Sequence, residues 1–277
     1  MTIYLNADSG SFSLNKKDYL LRAAKRMGWN VFQDVKEAVG PIDYLLNIQP
    51  CNLCRGGRWT GLWHIDVSLE SDFTGRYGEL DTVFVASSVG ILPYEKQIVM
   101  FQAMDPELHR RIPEIKQDFD FTICGHGGSS EGCYGKRGHV YDILRKKYKY
   151  NPGGGGNPPE KYVAEYNKAK VQVVQPCMGK NGWGMCAQRF FECLGIGPVL
   201  CDWTPDLELL DLKDGEDYMS YKDDAELIKK MDILLADENL RNKIFESGRR
   251  KALNSHTFEH RLITIFNTVN DFIRTTQ

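Results

Sequence analysis

Two successive series of alternating β-strand and helical signals constrain the fold of this chain more than any other feature. The first series opens with the apolar run 2–6 and a helical repeat over 16–29, and it continues through β-rich runs to about residue 104. The second starts afresh at 118–124 and includes the strand signal 171–176. Because strands that alternate with helices form parallel sheets, the sequence predicts an α/β protein with two Rossmann-like lobes.

The segment after residue 256 has a different pattern. From Thr257 onwards apolar residues recur at helical spacing, which predicts a long amphipathic helix. The second α/β series is already complete by residue 253, so the apolar stripe of this helix needs another surface to cover it. We therefore treat 257–277 as a separate terminal helix.

Length and composition favour an ordinary globular protein. The chain has 277 residues, 42% hydrophobic and 26% charged, and a formal net charge of −2. Such a balance argues against dedicated binding of nucleic acid or anionic membrane. No apolar run is long enough to span a bilayer, and the first residues lack the pattern of a signal peptide, so we expect a cytoplasmic protein.

Eight cysteines are scattered along the chain, which fits small buried thiols in a reducing compartment. Cys51 and Cys54 have the one spacing typical of metal ligands, but no second ligand pair follows. The sequence therefore predicts no metal site, and the role of these two cysteines stays open.

Glycine-rich loops of the second series follow or separate its strands, at 125–128, 152–156 and 179–184. Ligands of open parallel sheets bind at the carboxyl ends of the strands, where such loops lie. The third loop leads into a helix that carries Arg189 and Glu192 on one face, three residues apart. A guanidinium matches phosphate geometry and a carboxylate can accept ribose hydroxyls, so this helix is a candidate nucleotide site.

The remaining candidates for this site lie in the loops and at one helix start. The full predicted donor-binding set is His126, Gly127, Arg137, Gly182, Gly184, Arg189 and Glu192. Each member also has a plain structural interpretation. Arg189 and Glu192 can be a surface ion pair, Arg137 a solvated helix start, His126 an exposed loop histidine, and the three glycines ordinary turn residues.

The first series offers candidates for a catalytic base. Asp66 and His64 are two residues apart and share a strand face, and Asp8 follows the first strand. A carboxylate at the end of a strand can deprotonate an acceptor hydroxyl, or orient it. The alternative for Asp66 is that it caps the next turn.

Several segments of the second series carry a family resemblance. The segments YGKRGHVYDILRKKY, EKYVAEYNKAKVQVV and QRFFECLGIGPVLCD, followed by YKDDAELIKKMDILLADENLRNKIFESGRRKALNSHTFEHRL, resemble in this order the spore-maturation CgeB-like glycosyltransferases. Residues 80–265 follow that pattern closely. The R-x-F-E motif of Arg189–Glu192 and the H-T-x-E-H motif of His256–His260 are the most telling parts. The match is much weaker over residues 1–75.

This resemblance implies a GT-B fold, two Rossmann-like lobes whose terminal helix crosses back to the first. It implies an acceptor-binding lobe at 1–104, a nucleotide-sugar-binding lobe at 105–256 and a crossing helix at 257–277. The implied enzyme is a metal-independent glycosyltransferase, hexosyltransferase or similar, that moves a sugar from a nucleoside-diphosphate donor to an acceptor hydroxyl. No cofactor is implied, and a UDP-sugar is the expected co-substrate.

The acceptor stays open between a glycan, a protein and a modified DNA base. Three other functions also stay open at this stage. They are a phage-type transferase acting on DNA bases, a sugar epimerase of the same fold, and a non-catalytic protein that binds nucleotide sugars.

Overall fold

A computed structural model describes most of the chain. The described residues are 1–7, 11–48, 56–64, 80–86, 97–123, 133–152, 159–175, 177–178 and 184–277. They form two compact units, one of Met1–Gln102 with Phe258–Gln277 and the other of Ala103–Thr257. Each unit holds a parallel sheet with helices, which confirms the predicted α/β class with two Rossmann-like lobes.

The elements alternate along the chain. The strands of the first unit are β1 Ile3–Ala7, β2 Phe32–Asp34, β3 Tyr44–Ile48, β4 Trp59–His64, β5 Thr82–Val85 and β6 Gln97–Val99. Those of the second are β7 Phe119–Ile123, β8 Tyr150–Asn151, β9 Ala169–Val174, β10 Cys177–Met178, β11 Gly184–Met185, β12 Val199–Asp202 and β13 Met219–Tyr221. The helices are α1 Ser11–Arg26, α2 Cys133–Leu144, α3 Pro159–Asn167, α4 Gln188–Ile196, α5 Asp224–Ala236, α6 Glu238–Ser255 and α7 Phe258–Thr276.

The first unit has a six-stranded sheet in the order β2-β1-β3-β4-β5-β6, with every pair parallel. The strand order reverses between β1 and β3. Helix α7 belongs to this unit and packs against α1. Its buried stripe includes Leu262, Ile265 and Val269, and the ring of Phe258 lies 5.1 Å from that of Tyr19. The stripe predicted from the sequence is therefore covered within this unit.

The second unit has a five-stranded parallel sheet in the order β13-β12-β9-β7-β8, and β10 and β11 form a short antiparallel pair. Its core consists of apolar side chains from β7, β9 and β12 packed with those of α2 and α5, among them Phe121, Val171, Leu200, Leu144 and Met231. Each such side chain contributes about 1.5–3 kcal/mol on burial. This core holds the sheet in place. The helix that carries Arg189 and Glu192 lies between β9 and β12 of that sheet along the chain.

Helix boundaries follow local chemistry. The helical repeat over 223–236 predicts Asp223 or Asp224 as N-cap, and Asp223 caps α5 by accepting a hydrogen bond from the Glu226 N–H at 2.8 Å. The sequence after the loop 179–184 predicts a helix over 185–194, but α4 begins three residues later, because Gly184 and Met185 pair with β10.

Gly195 allows α4 to lie directly against the segment that enters the second unit. A β-carbon at this position would overlap the carbonyl oxygen of His109 and crowd the Met104 side chain. The close approach therefore requires glycine, and it brings His109 beside the face of α4 that carries Glu192.

Replacing this glycine should separate the two segments. We expect Gly195→Ala to lower the free energy of unfolding by about 1–3 kcal/mol, the usual cost of overpacking. The matched control is Gly138→Ala on α2, where a β-carbon meets nothing within 4 Å. There the lower backbone entropy of alanine should stabilise by about 0.5–1 kcal/mol. Urea unfolding measures both, and equal effects of the two variants would contradict the close approach.

Candidate active site

The strand order of the second unit indicates where a ligand binds. From β7 the chain passes through α2 to β8 on one side of the sheet, whereas β9, β12 and β13 extend to the other side. The strand order therefore reverses between β7 and β9. Open parallel sheets bind ligands outside the carboxyl ends of their strands at such a point. The segment that leaves β9 at this edge leads to the start of α4.

The start of α4 is suited to an anion. Its N-cap is Ala187, whose side chain makes no capping hydrogen bond. The N–H groups of a first helical turn lack partners inside the helix and carry the positive end of the helix dipole. Such a turn binds phosphate and carboxylate groups readily.

Glu192 is buried on this helix and accepts hydrogen bonds on both carboxylate oxygens. Its Oε1 receives the Gln188 amide at 2.5 Å and the Tyr162 hydroxyl at 3.2 Å. Its Oε2 receives Arg189 Nη1 at 2.5 Å. His109 Nε2 lies 3.4 Å from Oε1. The side chain is only 1% exposed, so these groups take the place of water around the charge.

The electrostatics keep this pair ionised. Burial opposes the charge of Glu192, but the nearby charge of Arg189 and the hydrogen bonds from Arg189 and Gln188 outweigh it, and the pKa of the carboxyl is lowered. Burial likewise opposes the charge of Arg189, yet the Glu192 carboxylate raises its pKa well above the usual value. Both side chains are therefore charged at neutral pH.

Arg189 keeps part of its guanidinium accessible. The group lies over the ring of Tyr162, with the guanidinium carbon 4.2 Å from the ring centre, and 26% of the side chain is exposed. Nη1 donates to Glu192, and guanidinium carries further N–H groups in a fixed fork. The arrangement can hold an anion with the edge that faces away from Glu192.

His109 is fully buried beside this pair. Its Nδ1 accepts the backbone N–H of Asp105 at 2.9 Å, and its Nε2 lies 3.0 Å from the Tyr162 hydroxyl. Burial lowers the pKa of His109 and outweighs the attraction of Glu192 and Asp105. The imidazole is therefore neutral at pH 7.

The structure thus brings Arg189 and Glu192 together as the sequence predicts, and adds three residues that sequence reasoning missed. Gln188 is one turn from Glu192 on α4, a spacing that could have suggested it. Tyr162 and His109 lie 30 residues or more away along the chain and give no local signal.

The other predicted site residues are less fully described. Arg137 is buried on α2, and Gly184 is the first residue of β11. His64 ends β4. Five predicted residues lie outside the described part of the chain, namely Asp8, Asp66, His126, Gly127 and Gly182. The same holds for Cys51 and Cys54. The roles of all these residues stay predictions.

Two kinds of feature are absent from the described residues. Within the ranges given above, no group of three or more His, Cys, Asp or Glu side chains is arranged to hold a metal ion. Across the same ranges, every helix is too short or too polar to cross a membrane.

Comparison with known proteins decides the family. A sequence model described as glycosyl transferase-like matches residues 104–267, more than half of the chain. The chain belongs to the glycosyl transferase-like family. This membership confirms the prediction that the protein is an enzyme that transfers sugars. Among curated proteins, none matches the sequence.

Solved structures agree on the fold. A glycosyltransferase from Rickettsia africae has a TM-score of 0.60 at 8% identity, covering 98% of both chains. Anabaena HepE in complex with UDP and glucose has a TM-score of 0.63 at 10% identity, covering 97% of this chain and all of that one. Sucrose-phosphate synthase from Thermosynechococcus elongatus has 0.58 at 9% identity, covering 95% and 78%. The glycosyltransferase therefore has the two-lobe GT-B fold.

The ionised state of Glu192 predicts a pH dependence of stability. A carboxyl whose pKa is lowered by folding stabilises above its ordinary pKa of 4.5, and this stabilisation is lost as the pH falls through the lower folded value. Glu192→Gln should cost about 1.5–3 kcal/mol of unfolding free energy at pH 7, the range for hydrogen bonds to charged groups.

The difference from the wild type should shrink below pH 4.5, as Glu192 of the wild type becomes protonated. Urea unfolding from pH 7 to about pH 3.5 measures it. Glu160→Gln, on the exposed side of α3, is the control and should follow the wild type throughout. A cost for Glu192→Gln that stays the same at all pH values would mean that Glu192 is not held as a carboxylate.

Proposed function

We propose that the second unit binds a nucleoside-diphosphate sugar, with the diphosphate held by Arg189 and the first turn of α4. The observation that carries the proposal is an ionised pair in which Glu192 is buried and Arg189 is partly exposed. It lies on a helix whose N-cap residue makes no side-chain capping hydrogen bond. A leaving diphosphate gains negative charge as the sugar departs. A fixed guanidinium and helix N–H groups stabilise that charge without reorganising during the reaction.

The ribose is proposed to bind at Glu192. Among the described residues, only Arg189 donates a hydrogen bond to its Oε2, and a carboxylate oxygen can accept a second. The other predicted donor-binding residues, Arg137, His126, Gly127, Gly182 and Gly184, belong to the same proposal. All of them lie in or beside the segments that follow β7 and β9.

The proposed donor is a UDP-sugar, and the proposed subtype is the CgeB-like one. Support for UDP comes from a relative in fold, since Anabaena HepE was solved with UDP and glucose. Support for the subtype comes from the R-x-F-E motif at Arg189–Glu192.

The first unit is proposed to bind the acceptor hydroxyl, with Asp66 as its base, His64 as a second group and Asp8 as the other candidate base. In sequence Asp8 directly follows β1, the strand beside which the order of that sheet reverses. Asp66 follows the end of β4 by two residues. A base at this edge removes the proton from the hydroxyl as it attacks the sugar.

A thermal-shift panel tests the donor site. With UDP-, GDP-, ADP-, dTDP- and CMP-sugars, we expect stabilisation by the true donor, about 2.7 kcal/mol at 100 times its dissociation constant. Arg189→Met should weaken binding of that donor by about 1.5–3 kcal/mol in calorimetry, because a hydrogen bond to a charged group is lost.

Arg111→Met is the matched control, because Arg111 also stacks on an aromatic ring, 3.8 Å from the centre of Phe245. It should leave donor affinity unchanged. If no nucleotide sugar shifts the melting temperature, the donor site is assigned wrongly. If a donor binds and Arg189→Met binds it as tightly as the wild type, the role of Arg189 is wrong.

The base is tested separately from the donor. Asp66→Asn should reduce kcat by about 10²–10⁴, the contribution of general-base catalysis, with donor affinity unchanged. The measurement is release of nucleoside diphosphate from a radiolabelled donor, beside calorimetry of the same donor. Asp8→Asn tests the second candidate in the same assay. Full activity of Asp66→Asn, with a large loss in Asp8→Asn, would move the role of base to Asp8.

A further inference from the structure

The hydrogen bonds around Glu192 form a chain with one direction. An ionised carboxylate only accepts, so the Tyr162 hydroxyl must donate to it. Because the hydroxyl proton of Tyr162 is used in this bond, the Tyr162 oxygen accepts a hydrogen bond from His109 Nε2. The Asp105 N–H donates to His109 Nδ1, so the neutral imidazole carries its proton on Nε2, as this chain requires. Every donor therefore points towards Glu192.

The orientation of the Gln188 amide follows from the same charge. Its Nε2 donates to Glu192 Oε1, which leaves its own Oε1 pointing elsewhere. Among the described residues, this buried oxygen has no hydrogen-bond partner. A buried acceptor without a partner is destabilising. A cluster that served stability alone would not leave one, which favours a functional reason for holding Glu192.

Tyr162 contacts both members of the ion pair. Its hydroxyl bonds Glu192, and its ring lies under the guanidinium of Arg189. His109 fixes that hydroxyl from the other side and is itself held at the backbone N–H of Asp105. The position of Arg189 thus depends on residues of α3 and of the segment that precedes β7.

We propose that Tyr162 and His109 are positioning residues, which hold Glu192 as the anchor of Arg189 and so hold Arg189 ready for the diphosphate. This inference rests on the proposed donor site and names residues beyond it. Neither residue need touch the donor. They act on Arg189 through the Glu192 carboxylate, which orients the guanidinium.

The groups that face Glu192 determine how the cluster responds to pH. From α4 they are Arg189, charged, and Gln188, neutral; from α3, Tyr162; and from the segment before β7, His109, neutral. Two further groups act one step away, Tyr166 on Arg189 and Asp105 on His109. Loss of the Tyr162 hydroxyl removes one donor that favours the carboxylate, so the pKa of Glu192 must rise. Arg189 then loses its anchor at a higher pH than in the wild type.

Tyr162→Phe is the direct test, because it keeps the ring under Arg189 and removes the hydroxyl. The probe is UDP, or the diphosphate of the strongest donor in the thermal-shift panel. We expect its dissociation constant to rise about 3–10-fold at pH 8, the loss of one hydrogen bond, and by a larger ratio as the pH falls towards the range in which Glu192 titrates. Expressing each value as a ratio to the wild type at the same pH cancels the titration of the diphosphate itself.

The matched control is Tyr148→Phe. The Tyr148 hydroxyl also donates to a carboxylate of the second unit, Asp232, at 2.8 Å. Its ratio should stay near one at every pH. His109 is tested by a pair of variants: His109→Phe should behave like Tyr162→Phe, and His109→Gln, which keeps an N–H donor, should restore much of the affinity.

One measurement needs no variant. Selective ¹³C labelling of glutamate carboxyls should show Glu192 of the wild type titrating below the ordinary pKa of 4.5. A normal or raised value would overturn the proposal even if the variants fail to fold. So would a ratio for Tyr162→Phe that stays near one, or one that does not grow as the pH enters the range in which the labelled Glu192 carboxyl titrates. Failure of the donor site looks different: UDP binding is then insensitive to Arg189→Met, while Glu192 still titrates low.

Discussion

An ionised carboxylate that is almost fully buried has to be paired with a positive charge and surrounded by hydrogen-bond donors, and Glu192 meets this requirement through three separate pieces of chain. Helix α4 supplies Gln188 and Arg189, α3 supplies Tyr162, and the segment before β7 supplies His109, which donates to the Tyr162 hydroxyl. None of these donors can move far without leaving charge unsatisfied in the interior, where the cost is high. The packing of the second unit around α4 is thus coupled to the charge state of one residue.

This coupling orients the groups of the site without a bound donor. Gly195 lets the carbonyl of His109 approach α4, the Tyr162 ring supports the Arg189 guanidinium, and the helix start next to them lacks a side-chain cap. Charged and dipolar groups that are already oriented stabilise a leaving group far better than groups that must reorganise. Burial of the apolar core of the second unit during folding offsets the energetic cost of orienting these groups.

The sequence predicts those features whose causes are local. Strand and helix periods predict both sheets and α7, an aspartate at the right place predicts the start of α5, and a spacing of three places Arg189 and Glu192 on one helix face. The partners of Glu192 are not predictable in this way. Tyr162 reads as one apolar position of a short helix and His109 as part of a connecting segment, because only the tertiary fold brings them to the carboxylate. The close approach that requires glycine at position 195 likewise gives no signal in the sequence.

The chain leaves the first unit after Gln102 and returns to it at Phe258. Within each unit, hydrogen bonds join the two segments that lie next to these points. In the first unit, Arg261 on α7 donates to the carbonyl oxygens of Phe101 and Gln102, at 2.6 and 2.8 Å, where the chain is about to leave. Burial lowers the pKa of this arginine to about 10, so it is still charged at neutral pH. In the second unit, the Met104 N–H donates to the His256 carbonyl at 3.0 Å. Because α7 also covers α1, the terminal helix completes the core of the unit in which the chain began.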